Sequence, residues 1–90
     1  MQPIYMLKAT WKETFHDSDY GDTYVCDTFD IIAISADKIQ LEYIQAILVR
    51  GHGSPYWSET RHDELTKLYP GYDDMRETEY VIEDISKFYI

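Results

Sequence analysis

The sequence predicts a small α+β fold: an antiparallel sheet, made of an N-terminal hairpin and a C-terminal strand, packed by one or two helices. Two strand-like segments flank a polar turn near the N-terminus, a segment with helical periodicity follows, and an apolar segment ends the chain. Ninety residues make one domain with a modest core, which we assign to residues 1–90.

Residues 4–15 are predicted to form the first strand, because apolar and polar residues alternate along them. One face carries the side chains of Tyr5, Leu7, Ala9, Trp11 and Phe15. The next segment, residues 16–22, contains three Asp residues and Gly21 and is typical of a hairpin loop.

Residues 23–34 are rich in β-branched and aromatic residues and are predicted to form the second strand. One face carries Val25, Phe29, Ile31 and Ala33. Residues 31–34 are apolar on both faces, so we expect other elements to cover this end from both sides. Cys26 lies mid-strand, where a free cysteine usually behaves as a small buried apolar residue.

Residues 36–49 favour a helix, with Ser35 as its expected cap and Gly51 as its expected stop. The expected inward face carries Ala36, Ile39, Tyr43, Ala46 and Ile47. A third strand stays open for residues 38–49, because Ile39, Leu41 and Tyr43 also alternate.

Residues 50–58 are predicted to be a loop, after which Ser58 or Thr60 caps a short helix. That helix runs to Tyr69, before Pro70 and Gly71, and we expect its inward residues to be Leu65, Leu68 and Tyr69.

The acidic residues 72–78 are predicted to be a loop. Residues 80–90 suit a strand or a helix; a strand is favoured because a hairpin alone is marginally stable.

Charge excludes several classes of ligand. The chain has 17 Asp and Glu residues against 8 Lys and Arg, a formal net charge of −9. Its cations are scattered, which argues against direct binding of nucleic acid or of an anionic membrane and favours a protein partner with a basic surface. Cys26 is the one cysteine, and no signal-peptide pattern begins the chain, so we expect a cytoplasmic location.

No motif indicates catalysis or metal binding. The loop at residues 17–22 departs from an EF-hand, since its fifth position is Gly21 and its sixth is Asp22. The spacing of His16, His52, His62 and Cys26 matches no common zinc motif. We therefore expect a protein that is not an enzyme, with no catalytic residue, no metal site and no cofactor.

Two acidic segments, together with Tyr20, Tyr72 and Tyr80, are the candidate partner-binding face. If the fold brings them together, their carboxylates would stand where phosphates sit in a nucleic-acid-binding groove. The candidate residues are Asp17, Asp19, Tyr20, Asp22, Tyr72, Asp73, Asp74, Glu77, Glu79, Glu83 and Asp84.

In general character the chain resembles small phage-encoded inhibitors of bacterial defence, including anti-CRISPR proteins and DNA mimics. It is short, acidic and rich in Tyr, and it carries no catalytic motif. This resemblance implies an inhibitor that blocks the basic nucleic-acid-binding surface of a nuclease or effector complex, in the host cytoplasm if phage-encoded.

Two other classes of function stay open. One is an accessory or antitoxin-like subunit that binds through an aromatic interface. A homodimer formed by edge-strand pairing through residues 4–15 would favour this class. The other is a minor metal-binding domain, which would show a metal-dependent shift in melting temperature.

Overall fold

A computed structural model describes residues 2–17, 19–52 and 58–89. Its elements are strands β1 (Tyr5–Asp17) and β2 (Asp22–Ser35), helices α1 (Lys38–His52) and α2 (Glu59–Leu68), strand β3 (Glu79–Asp84) and a final 3₁₀ turn (Ser86–Tyr89). The three strands form one antiparallel sheet in the order β2-β1-β3, which confirms the predicted α+β fold.

The hairpin of β1 and β2 is the longest feature of the sheet. Its register runs from the Tyr5–Ser35 pair to the Asp17–Asp22 pair. Gly21 has a φ of +69°, which glycine adopts at low cost, and its N–H donates to the Asp17 carbonyl at 2.8 Å. The predicted hairpin is therefore confirmed, but its turn is shorter than residues 16–22, since β1 extends to Asp17 and β2 begins at Asp22.

Strand β3 pairs with only the first half of β1, from Tyr5–Asp84 to Thr10–Glu79. The Ile4 N–H donates to Ser86 Oγ at 2.8 Å and so ties the turn after β3 to the start of the chain. Of the two alternatives for residues 80–90, the strand is confirmed as far as Asp84. Residues 5–10 are paired on both sides, so they are not available as the edge of a homodimer.

The core lies between one face of the sheet and the two helices. It contains Leu7, Ala9, Trp11, Leu41, Leu48, Leu65, Tyr69, Tyr72 and Tyr80. The chain measures only 16 Å along its thinnest direction, as a sheet covered by a single layer of helices should.

The expectation that residues 31–34 are covered on both faces is wrong, because Ile31 and Ile34 are 54% and 48% exposed. They share the face that points away from the helices with Val25 and Phe29, which are also more than half exposed. Cys26 is also exposed, contrary to the expectation of burial, because the helices do not reach the outer half of the hairpin.

Helix α1 confirms the helical alternative for residues 38–49, with two corrections at its ends. Asp37, not Ser35, is the N-cap, because Asp37 Oδ1 accepts a hydrogen bond from the Gln40 N–H at 3.2 Å. Ser35 Oγ instead accepts a hydrogen bond from the Asp37 N–H, before the helix begins. Gly51 does not stop the helix, which continues to His52, so residues 50–52 are helical. The rest of the predicted loop, residues 53–57, lies outside the described residues.

The predicted inward face of α1 is wrong except at Ile47, which packs against the core. Ile39 and Tyr43 are 77% and 67% exposed, whereas Leu41 and Leu48 are fully buried. The helix is apolar on more than one side, and packing selects the stripe that continues to the buried Gly51.

Helix α2 has the predicted bounds and burial. Ser58 is its N-cap, with its Oγ accepting from the Arg61 N–H at 3.2 Å, and Tyr69 is its C-cap. Leu65 and Tyr69 are buried and Leu68 is half-buried, as expected.

The N-cap gives a test that separates the two cap candidates. Replacing Ser58 with alanine should lower the free energy of unfolding by about 1 kcal/mol, because the Arg61 N–H loses its acceptor. Replacing Thr60, which is exposed inside the first turn, should change it by less than about 0.5 kcal/mol. Urea denaturation of both variants measures the difference, and equal losses would contradict the assignment.

Candidate partner-binding surface

The candidate acidic residues fall into two groups. The first, which we call the tip group, surrounds the hairpin turn and consists of Asp17, Asp19, Tyr20 and Asp22. Tyr20 is 80% exposed, and both Asp19 and Asp22 are exposed, so this group faces solvent.

The second group lies in the loop before β3 and on β3 itself, which is the edge strand on the other side of β1 from β2. It consists of Asp73, Asp74, Glu77, Glu79, Glu83 and Asp84, and we call it the loop group. All six residues are exposed, and they follow the loop before β3 and then β3 itself.

The fold does not merge the two groups into one patch. Strand β3 begins at Glu79, opposite Thr10, whereas the tip group begins at Asp17. At ~3.3 Å per residue, the tip lies roughly 23 Å farther along β1. The carboxylates therefore form two clusters along an elongated surface.

Tyr72 and Tyr80 do not stand on this surface, which corrects the expectation of tyrosines studding the acidic face. They are 6% and 7% exposed and belong to the core. The Tyr72 hydroxyl donates to Asp74 Oδ1 at 2.5 Å, and the Tyr80 hydroxyl lies 2.5 Å from His52 Nε2.

Burial is the largest cause of the changed acidity of these buried tyrosines. It raises the pKa of Tyr80 to about 12, with a further contribution from Tyr69. It also raises the pKa of Tyr72 well above its usual value, helped by the hydrogen bond to Asp74. The pKa of Tyr69 is raised by burial and by its hydrogen bond to Asp30.

Several of the candidate carboxylates also shape the backbone. Asp17 and Asp73 each accept a hydrogen bond from the N–H two residues later, at 3.0 and 2.9 Å. Asp84 accepts from both the hydroxyl and the N–H of Ser86, and these bonds hold the pKa of that carboxyl below its usual value. Asp19, Asp22, Glu77 and Glu79 have no such bond in the described structure and are the freest to meet a partner.

The cations of the chain do little to neutralise this surface. Among the described residues, the structure shows one ion pair, between Lys8 Nζ and Glu83 Oε1 at 2.6 Å. Four cations, including Lys8 itself, lie over aromatic rings at 3.7 to 5.6 Å from the ring centre: Lys8 over Phe29, Lys38 over Tyr5, Arg76 over Trp11 and Lys87 over Phe88.

Arg76 is the residue that fixes the acidic loop, and its role was not predicted from the sequence. Its guanidinium stacks on Trp11 at 3.7 Å and donates to the Tyr69 hydroxyl at 3.0 Å and the Gly71 carbonyl at 3.2 Å. Its Nε also donates to Thr78 Oγ1 at 3.1 Å. Both ends of the loop are thereby held against the sheet.

An open groove of about 870 Å³ lies between this loop and the hairpin. It runs past the unpaired part of β1, beyond the end of β3, and its lining mixes cations with carboxylates. The lining residues that sequence reasoning did not select include Lys8, Lys12, Trp11, Asp27, Phe29, Met75 and Arg76. Of these, only Met75, 92% exposed beside two acidic residues, stands out in the sequence as an unusual loop residue.

Among residues 2–17, 19–52 and 58–89, no three His, Cys, Asp or Glu side chains are arranged to hold a metal ion. No helix in this part of the chain is long and apolar enough to cross a membrane. No protein-family model matches the chain, and comparison with curated proteins and with solved structures gave no match. What the chain binds must therefore be inferred from its own surface.

Proposed function

We propose that this chain is an inhibitor that binds the basic nucleic-acid-binding surface of another protein, such as a nuclease or an RNA-guided effector complex of a bacterial defence system. In this role it resembles anti-CRISPR proteins and DNA mimics in kind. Its carboxylates occupy the positions where the partner would hold phosphates, and its negative field speeds the encounter.

The observation that carries the proposal is the lack of internal neutralisation. The net charge is −9, and one ion pair joins described side chains, while four cations stack on the chain's own rings. Exposed carboxylates without a cation beside them are available to a basic partner. Among the described residues, no ion pair involves the tip group or Glu77 and Glu79 of the loop group. Glu83 is paired with Lys8, and Lys38 and Lys87 help to lower the pKa of Asp84.

The elongated arrangement fits a groove better than a point contact. Two acidic clusters, offset by roughly 23 Å along β1 between Glu79 and Asp17, can meet cations that follow a nucleic-acid backbone. A partner that binds DNA or RNA presents such a row of cations, whereas a small basic ligand would engage only one cluster.

The test is capture of nucleic-acid-binding proteins from bacterial lysate by the tagged chain, with duplex DNA as competitor. Two variants each remove two carboxylates that make no local hydrogen bond: D19N with D22N, and E77Q with E79Q. Each pair should weaken the captured partner's affinity about three- to tenfold. The matched control, E42Q with E64Q, removes the same charge from exposed helix positions and should have little effect.

Two outcomes would contradict the proposal. Equal weakening by all three double variants would show that only net charge matters. A captured partner that still binds DNA with unchanged affinity would show that its nucleic-acid surface is not blocked.

An accessory subunit with an aromatic interface is the second candidate, and one observation favours it. The rings of Phe15 and Tyr24 stack at 5.7 Å on the outer half of the hairpin and are 41% and 54% exposed. In that case capture would resist salt, and replacing Tyr24 with serine would weaken it more than either carboxylate pair.

A further inference from the structure

Strand β2 forms one complete edge of the sheet. It has 14 residues, pairs with β1 along one side, and no described element pairs with its other side. The backbone N–H and C=O groups on that side are a template for one more strand.

The side chains of β2 carry acid and no base. Its three charged residues are Asp22, Asp27 and Asp30, whereas the lysines of the sheet, Lys8 and Lys12, lie on the central strand. Lysines on an edge strand often prevent pairing with further strands. The charged side chains of this edge are all carboxylates, so they repel an acidic strand but do not repel a basic one.

An apolar stripe runs along the outer face of the sheet, and Asp27 is the carboxylate that shares this face. Asp22 and Asp30 point to the other face, where Asp30 accepts a hydrogen bond from the Tyr69 hydroxyl. Val25, Phe29 and Ile31 lie on the outer face of the sheet at 54–58% exposure, and Ile34 follows at 48%. The helices pack on the opposite face, so no helix covers this stripe, although Lys8 Nζ lies over the Phe29 ring at 5.6 Å. An added strand would cover part of it through cross-strand contacts.

Charge selects the occupant. A second copy paired antiparallel through β2 would bring three carboxylates from each chain to one seam, between two chains of net charge −9. A strand carrying lysine or arginine among β-branched residues can meet Asp27 with opposite charge and the stripe with apolar side chains on the outer face, and its basic residues on the other face meet Asp22 and Asp30.

We infer that the free edge of β2 binds an extended basic segment of the partner protein, which adds to the sheet as a fourth strand. This inference rests on the proposed function for the basic character of the partner, and it adds the place and the mode of binding. Asp27 and Val25 lie at the middle of this edge and make no core contact, so they can be changed without loss of the fold.

The probe is a capped peptide of about nine residues, alternating valine and threonine with three lysines, a length that pairs with most of an average strand or more. Its binding is measured by NMR titration with amide hydrogen exchange. We expect new protection of alternate β2 amides, and about tenfold weaker binding to V25T with D27N. A peptide with glutamate in place of lysine should not bind.

The matched control is V49T with E42Q, which makes the same two chemical changes at exposed positions of helix α1. It should bind the lysine peptide as the unchanged chain does. Thermal melts of both double variants verify that the fold is retained, so that a loss of binding is assigned to the edge.

Other outcomes separate this inference from the proposed function. Protection at β3 or the loop group, or absence of peptide binding while the carboxylate-dependent capture persists, would overturn the β2 edge and leave the inhibitor standing. A concentration-dependent dimer that V25T with D27N alters would assign the edge to a second copy. Loss of both the capture and the peptide would overturn both proposals.

Discussion

Replacing Gly51 with valine is expected to lower the free energy of unfolding by about 2–3 kcal/mol, through overpacking. A Cβ at this position would stand 2.6 Å from the Tyr72 hydroxyl and 2.9 Å from Leu65 Cδ1. Neither can move freely: Leu65 is 4% exposed, and the Tyr72 hydroxyl is held by Asp74. Gly51 thus permits α1 to approach α2 and the acidic loop.

The matched control is A46V, at an exposed position of the same helix. It introduces the same β-branched side chain without the close contact and should cost only about 0.5 kcal/mol. Guanidinium denaturation of both variants compares the losses. A G51V variant as stable as A46V would show that the helices do not pack at this distance.

The free energy of unfolding is expected to fall as the pH rises from about 10 to about 12, because buried tyrosines keep their protons in the folded state. The pKa of Tyr80 is raised from 10.0 to about 12 by burial. Above pH 10 the unfolded chain has lost this proton while the folded chain retains it. The stabilisation present below pH 10 is therefore lost as the pH approaches 12, by up to about 1.4 kcal/mol per pH unit for one such group.

The variant Y80F isolates this contribution. It removes the titrating hydroxyl together with its contact to His52, and it should make the alkaline decline shallower. Y20F changes a tyrosine that is 80% exposed at the hairpin turn and should leave the slope unchanged. Denaturation measured across this pH range decides, and identical slopes for Y80F and the unchanged chain would contradict the burial of this hydroxyl.

Local signals in the sequence predicted several elements of the fold. Alternation along β1, the Asp-rich turn with Gly21 and Ser58, one of the two cap candidates for α2, act over a few residues, and the structure confirms each. For residues 38–49 local signals left a helix and a strand both open. The preference for a strand after residue 79 rested on the marginal stability of a lone hairpin, and it is also confirmed.

Long-range packing determines which apolar residues of α1 and β2 are buried, and local sequence patterns could not predict this. Helix α1 carries apolar residues around most of its circumference, so its periodicity allowed the exposed Ile39 as readily as the buried Leu41. The apolar end of β2 suggested cover on both faces, but both helices lie on one side of the sheet. Ile31 and Ile34, on the other side, are therefore exposed where cover was expected.

The candidate surface was predicted by residue type and corrected in arrangement. The exposed carboxylates were identified from composition and spacing, but their separation into two clusters follows from where β3 ends on β1. The anchoring of the loop by Arg76 on Trp11 joins residues far apart in sequence, and no local pattern indicates it. The same holds for the burial of Tyr72 and Tyr80.

The most direct test of the central claim, that the carboxylates bind a basic nucleic-acid-binding surface, is the affinity of the captured partner as a function of salt concentration. We expect affinity to fall steeply between about 0.05 and 0.3 M salt, since exposed charges are screened over this range. The slope should be shallower for D19N with D22N and for E77Q with E79Q than for the unchanged chain. An affinity that does not change with salt would contradict the claim and assign binding to the aromatic hairpin instead.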